Sequence, residues 1–129
     1  MTKASGIAPI NVNRDVPQGA NYVERYWYLN NTTNEPMPYL DTATGLCQVR
    51  DVPADNSGST VIATGTVTIN SETGEIEVSY PIAQTINLEE QSGGCGYYRD
   101  ITIIYDDETE DRIVTGRLRP VLEIGRVAE

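Results

Sequence analysis

A chain of 129 residues is the length of one domain and can bury a core without disulfide or metal staples. Its 9 Lys and Arg against 19 Asp and Glu give a formal net charge of -10. That balance argues against nucleic acid and against an anionic membrane surface, because both draw affinity from cationic side chains. No histidine is present, which removes the usual general base, the commonest metal ligand and the physiological pH switch together.

The start, MTKASGIAPINVN, lacks the apolar core of a secretory signal, and no apolar run is long enough to cross a bilayer. The expectation is a soluble chain, not exported by that route and without membrane insertion. Residues 1–20 are polar, carry Gly6, Pro9, Pro17 and Gly19 and show no periodicity, so they read as an extended N-terminal arm, either disordered or ordered on a neighbouring subunit. Residues 21–129 form the β domain. Its first predicted strand is NYVERYWYL, Asn21 to Leu29, with Val23, Trp27 and Leu29 on one face. The loop NNTTNEPMP follows, where asparagines tolerate left-handed backbone and Pro36 and Pro38 cannot join a central ladder.

TATGLCQVR, Thr42 to Arg50, is the next strand, with Gly45, Cys47 and Val49 on one face. After the loop DVPADNSGS, the β-branched run Thr60 to Ile69 and the run Glu75 to Tyr80 form a hairpin about Ser71-Glu72-Thr73-Gly74. Ile76, Val78 and Tyr80 share one face of the returning strand. PIAQTINL breaks the alternation and predicts one or two helical turns, with Ile82 and Ile86 packed inward as a plug. EEQSGGCG is a loop.

The hairpin Tyr97 to Leu122 is the expected centre of the fold. Ile101, Ile103 and Tyr105 alternate with Asp100, Thr102 and Ile104, and in the return strand Val114, Gly116 and Leu118 face away from Thr115, Arg117 and Arg119. Between them DDETED is too charged to bury and predicts a solvated tip. VLEIGRVAE closes the chain as a last short strand or a tail. Strands at near-regular spacing predict an all-β fold, a single antiparallel β-sandwich or small barrel with one short helical turn.

Few constellations carry chemistry. Asp106, Asp107, Glu108, Glu110 and Asp111 have the oxygen ligands Ca²⁺ prefers, but not the glycine and spacing of an EF-hand loop, so no metal site is expected. No carboxylate pair is singled out by spacing, and Ser, Thr or Cys nucleophiles lack a base. Gly93, Gly94 and Gly96 do not form a phosphate loop. No catalytic residues and no cofactor are expected. Cys47 and Cys95 leave one disulfide open, although Cys47 reads as a core position, Cys95 sits in a glycine-rich turn, and small buried thiols are the commoner case. Tyr22, Tyr26, Trp27 and Tyr28 offer a carbohydrate platform, against the plainer role of core filling in a chain without phenylalanine. Arg50, Arg99, Arg112, Arg117 and Arg119 are expected to pair with the excess carboxylates or anchor an interface.

The order of several short motifs resembles small β-domains of tailed bacteriophages. These are Pro38 and Leu40 entering a strand that ends in Val49 and Arg50, the hairpin TVTINSETGEIEVSY, Thr85 and Leu88 in the helical plug, Tyr98, Asp100 and Ile101, then Gly116 and Leu118. Together they are similar to the immunoglobulin-like N-terminal domain of phage baseplate upper proteins and related tail-associated proteins, over residues 21–126. The resemblance implies an immunoglobulin-like sandwich, no enzyme activity, and a virion structural protein assembled in the host bacterial cytoplasm. Such proteins often continue into a coiled-coil or receptor-binding module, whereas this chain ends at Glu129, so the expectation is a tail or baseplate adaptor that joins a fibre, adhesin or neighbouring subunits to the particle. Its partners would be other virion proteins and copies of itself in a homo-oligomer or symmetric array. A capsid decoration protein and a carbohydrate- or calcium-binding adhesion module are the alternatives.

Overall fold

The computed structural model describes residues 9–52, 58–88 and 96–121. Cys95 and its possible disulfide, most of the loop EEQSGGCG and the closing segment after Val121 lie outside these residues.

The fold is all-β. Its strands are β1 (Ile10–Asn11), β2 (Arg14–Pro17), β3 (Tyr22–Trp27), β4 (Thr44–Arg50), β5 (Val61–Asn70), β6 (Glu75–Tyr80), β7 (Tyr97–Ile104) and β8 (Glu110–Val121), with one helical turn, α1 (Ile82–Thr85), and a 3-10 turn at Leu40–Thr42. They form one curled sheet in the order β1-β8-β7-β4-β5-β6-β3, with β2 also on β8. The curl comes from β5. Its first half pairs with β4 (Cys47 opposite Gly65) and its second half with β6 (Ile69 opposite Ile76), so a single strand carries the chain from one layer into the other. The result is a half-barrel with its core inside the curl.

The β5–β6 turn forms as its sequence predicts. Gly74 takes a φ of 80°, a left-handed conformation that costs an L side chain steric strain, and Asn70 Oδ1 accepts from the amides of Glu72 and Thr73. Ile76, Val78 and Tyr80 are fully buried, as are Cys47 and Val49 of β4 and Ile101, Ile103 and Leu118 of the β7–β8 hairpin.

Three expectations differ in detail, and a fourth point that the sequence left open is decided. Within the N-terminal arm, residues 10–17 lie along their own chain: β1 and β2 run parallel to β8, and Val16 is fully buried in the core. On β3 alternation left the inward face open, and the structure settles it. Glu24 and Tyr28 are buried and Tyr22 and Tyr26 half-buried, while Val23 and Trp27 face solvent. In α1 the inward residues are Thr85 and Leu88, and Ile82 and Ile86 are exposed. The helix ends after one turn, so the inward face follows a spacing of three, and Thr85 Oγ1 donates to Ala20 O at 2.8 Å to pin it. Finally, Asp111 leaves the acidic tip for the core. A bulge between Ile101 and Thr102 makes Ile113 an extra residue on β8, which shifts the alternation so that Asp111 and Ile113 face inward along with Val114 and Leu118.

Candidate functional site

The polar groups the fold gathers in its interior come first, because they decide which residues remain for the surface. Arg99, on the dry face of β7, is 1% exposed and Glu24, on β3, is 6% exposed. Arg99 Nη1 forms an ion pair with Glu24 Oε2 across the mouth of the curl, and Nη2 donates to Val12 O at 2.8 Å. Tyr26 OH donates to Glu24 Oε1 at 2.6 Å and Tyr80 OH to Oε2 at 2.9 Å, while Cys47 Sγ lies 3.1 Å from Tyr80 OH. One guanidinium and one carboxylate thus tie β3, β6, β7 and the β1–β2 segment together, and β4 joins them through Cys47 beside Tyr80.

Burial shapes this cluster's ionisation. Burial works against the charge on Arg99, but the fields of Tyr80 and Glu24 outweigh it and hold the guanidinium protonated. Burial, then the neighbouring Cys47 and Glu24, push the Tyr80 hydroxyl up, and burial with the Glu24 bond does the same to Tyr26. The Cys47 thiol is pushed up to about 11, chiefly by burial, which makes it a neutral packing group. Arg99 Nε is buried without a hydrogen-bond acceptor.

A second cluster sits at the hairpin tip. Asp111 Oδ2 accepts from Tyr28 OH at 2.6 Å and Tyr105 OH at 2.8 Å, and burial followed by the Asp111 bond raises Tyr105. Asp111 is therefore committed to tyrosines. Asp106, Asp107, Glu108 and Glu110 stay exposed, with Asp107 Oδ1 accepting from the Thr109 amide at 3.1 Å and Glu108 at a φ of 70°. Among the described residues no three His, Cys, Asp or Glu side chains form a group that could hold a metal ion.

The other arginines mostly serve the sheet. Arg117 lies over the Tyr98 ring, 4.5 Å from its centroid, and donates to its hydroxyl at 2.8 Å. Arg119 grips Asp15 with two bonds of 2.9 and 3.0 Å, which hold the Asp15 carboxyl below the usual carboxylate range. Arg50 donates to Gln48 and Ser59, and Arg112 lies 4.0 Å from Asp100.

Of the aromatic run, Trp27 is exposed, at 57%, Tyr22 and Tyr26 are half-buried and Tyr28 is buried. Trp27 stands on the outer face of β3 with Val23 and Arg25, beside Glu75, Glu77 and Ser79 of β6 and then Thr66, Thr68 and Asn70 of β5. Arg25 bonds Glu77 at 3.0 Å and reaches Glu75 at 4.0 Å. This outer face of β3, at the end of the strand order, is the candidate site. An open depression of about 370 Å³ lined by Glu35 to Asp41 and Ser71 is a second surface feature, with Tyr39 at a φ of 70° on its wall. Among the described residues no helix is long and apolar enough to cross a membrane, which says nothing of a β-barrel.

The motif positions Leu40, Val49, Thr85, Leu88, Ile101 and Leu118 are all buried. They hold the fold rather than form the site, and the buried Glu24–Arg99 pair was hidden in the sequence because nothing local distinguishes Arg99 from a surface arginine. No protein-family model matches the chain, and no curated protein is significantly similar to it.

Proposed function

We propose that this protein is a bacteriophage virion structural protein, a tail or baseplate adaptor that works through contacts and carries no reaction of its own. The observation that carries the reading is the edge strand β3, which among the described residues pairs on one side only and has Val23 and Trp27 standing out from it. Sheet edges accept neighbouring strands, and symmetry multiplies weak contacts into stable assemblies. The order of the sequence motifs supplies the phage assignment, with a capsid decoration protein as the alternative within that class. Mass spectrometry and electron microscopy of purified particles test it. The protein is expected in the particle at a fixed stoichiometry; a protein confined to infected cells and missing from particles would end this reading.

The exposure of Trp27 favours a second reading, a glycan-binding adhesion module. The indole lies in register beside Glu75 and Asn70, so a flat ring for stacking adjoins polar groups for sugar hydroxyls. A glycan array followed by calorimetry decides it, with binding lost in Trp27→Ala as the supporting result and no binding to any glycan as the opposing one.

A further inference from the structure

The two ends of the strand order are guarded differently. One edge consists of two short strands, β1 and β2, interrupted at Val12 and Asn13, closed by Pro17 and covered by the charges of Arg14 and Asp15. Short, charged, proline-ended edges are how proteins discourage a further strand. At the other end β3 keeps unbroken register with β6 from Tyr22 to Trp27, without proline, lysine or bulge. The outward charge on β3, Arg25, is committed to Glu77 of its own sheet.

The backbone of β3 is turned the same way. Tyr28 N donates to Gly74 O at 2.8 Å, on the β6 side. Alternation along an antiparallel ladder then directs the amides and carbonyls of Tyr26, Glu24 and Tyr22 toward β6, and those of Val23, Arg25 and Trp27 toward the outer edge. Those three residues also present their side chains on the outer face, where Val23 is 41% and Trp27 57% exposed.

We propose that this edge is a self-association surface that receives β3 of a second copy in antiparallel pairing; the proposal rests on the reading of the protein as a multi-copy structural component. A two-fold axis through Arg25 sets Val23 of each chain opposite Trp27 of the other, so a small and a large apolar side chain meet twice and the outward amides close a ladder. The two Arg25 side chains meet at the axis, each beside Glu77 and Glu75 of its own chain. The two Val23–Trp27 pairs are what select a second copy over an unrelated strand, and the Glu75 and Glu77 carboxylates offset the like charges of the two arginines. The net charge of -10 sets the conditions: two copies repel at low ionic strength, and pairing strengthens as salt screens them.

Trp27 is the only tryptophan in the chain, so its fluorescence reports on the surface itself. The full chain is followed by analytical ultracentrifugation and tryptophan emission over a concentration series at low and high salt. The mass is expected to double, the emission to shift to the blue and acrylamide quenching to fall as concentration and salt rise. Val23→Lys is expected to lose all three changes, and Trp27→Lys to sediment as a monomer. Val61→Lys, at an exposed apolar position on β5, is expected to dimerise as the parent does. A monomer under every condition, or a dimer that survives both β3 variants, overturns the proposal. A monomer that is nevertheless found in particles sinks this inference and leaves the structural reading standing; a dimer that is missing from particles does the reverse.

Discussion

With eight tyrosines and no phenylalanine, nearly every aromatic ring carried into this core brings a hydroxyl that needs a partner. Glu24 and Asp111 meet that need, each accepting from two tyrosines. Glu24 in turn requires Arg99, because an uncompensated buried charge is costly. Arg99→Met is therefore expected to destabilise the fold by about 3–5 kcal/mol in chemical denaturation. Adding Glu24→Gln to it is expected to cost less than the sum of the single changes; strict additivity would show that the two residues do not act as a pair. Cys47 gives a pH signature. Its folded pKa, about 11, lies above its ordinary 9.0, so its contribution is complete below about pH 9 and is lost as pH rises through 11. Above pH 10 the buried Tyr80 and Tyr26 add losses of the same sign, since both are raised from 10.0. In a Cys95→Ser background, Cys47 is expected to resist thiol reagents until the chain unfolds, and Cys47→Ala to flatten the decline in stability between pH 9 and 10; prompt labelling at neutral pH would show the thiol is accessible.

At the scale of elements, alternation read from the sequence located the strands, because β-branched runs, a turn that ends in glycine such as Ser71-Glu72-Thr73-Gly74, and period-two patterns are local. The hairpin β5–β6 and the dry face Ile101, Ile103, Tyr105 were legible for that reason. The orientation of β3 was not. Both of its faces carry apolar side chains, and what turns the tyrosine face inward is Arg99, far along the chain. The same limit hid Asp111, whose burial depends on a bulge, and the pairing of residues 10–17 with β8, which depends on a surface made late in the sequence. That pairing hinges on Gly116. It adopts a φ of 145°, and a Cβ there would lie 2.0 Å from Val12 O, the acceptor of Arg99 Nη2. Gly116→Ala is expected to lift β1 and β2 from β8 at a cost of about 1–3 kcal/mol, seen as faster amide exchange over residues 10–17. Unchanged exchange there would show that the segment is held without this close approach.

For the whole molecule, charged and hydroxyl groups lock the interior, and among the described residues the sheet ends on one side in β3, whose outer edge has no paired strand. The Arg99 side chain, bonded to Glu24 on one side of the mouth and to Val12 O on the other, holds β3 and the β1–β2 segment at a fixed separation. A frame held this way presents the β3 edge already ordered, so a neighbour that docks on it meets little ordering cost. Hydrogen exchange at Val23, Arg25 and Trp27, compared between the dilute isolated chain and the chain in purified particles, tests this account most directly. These edge amides are expected to exchange rapidly in the isolated chain and to become protected in the particle; amides that stay equally fast in both would contradict the assignment of β3 as the surface through which the protein assembles.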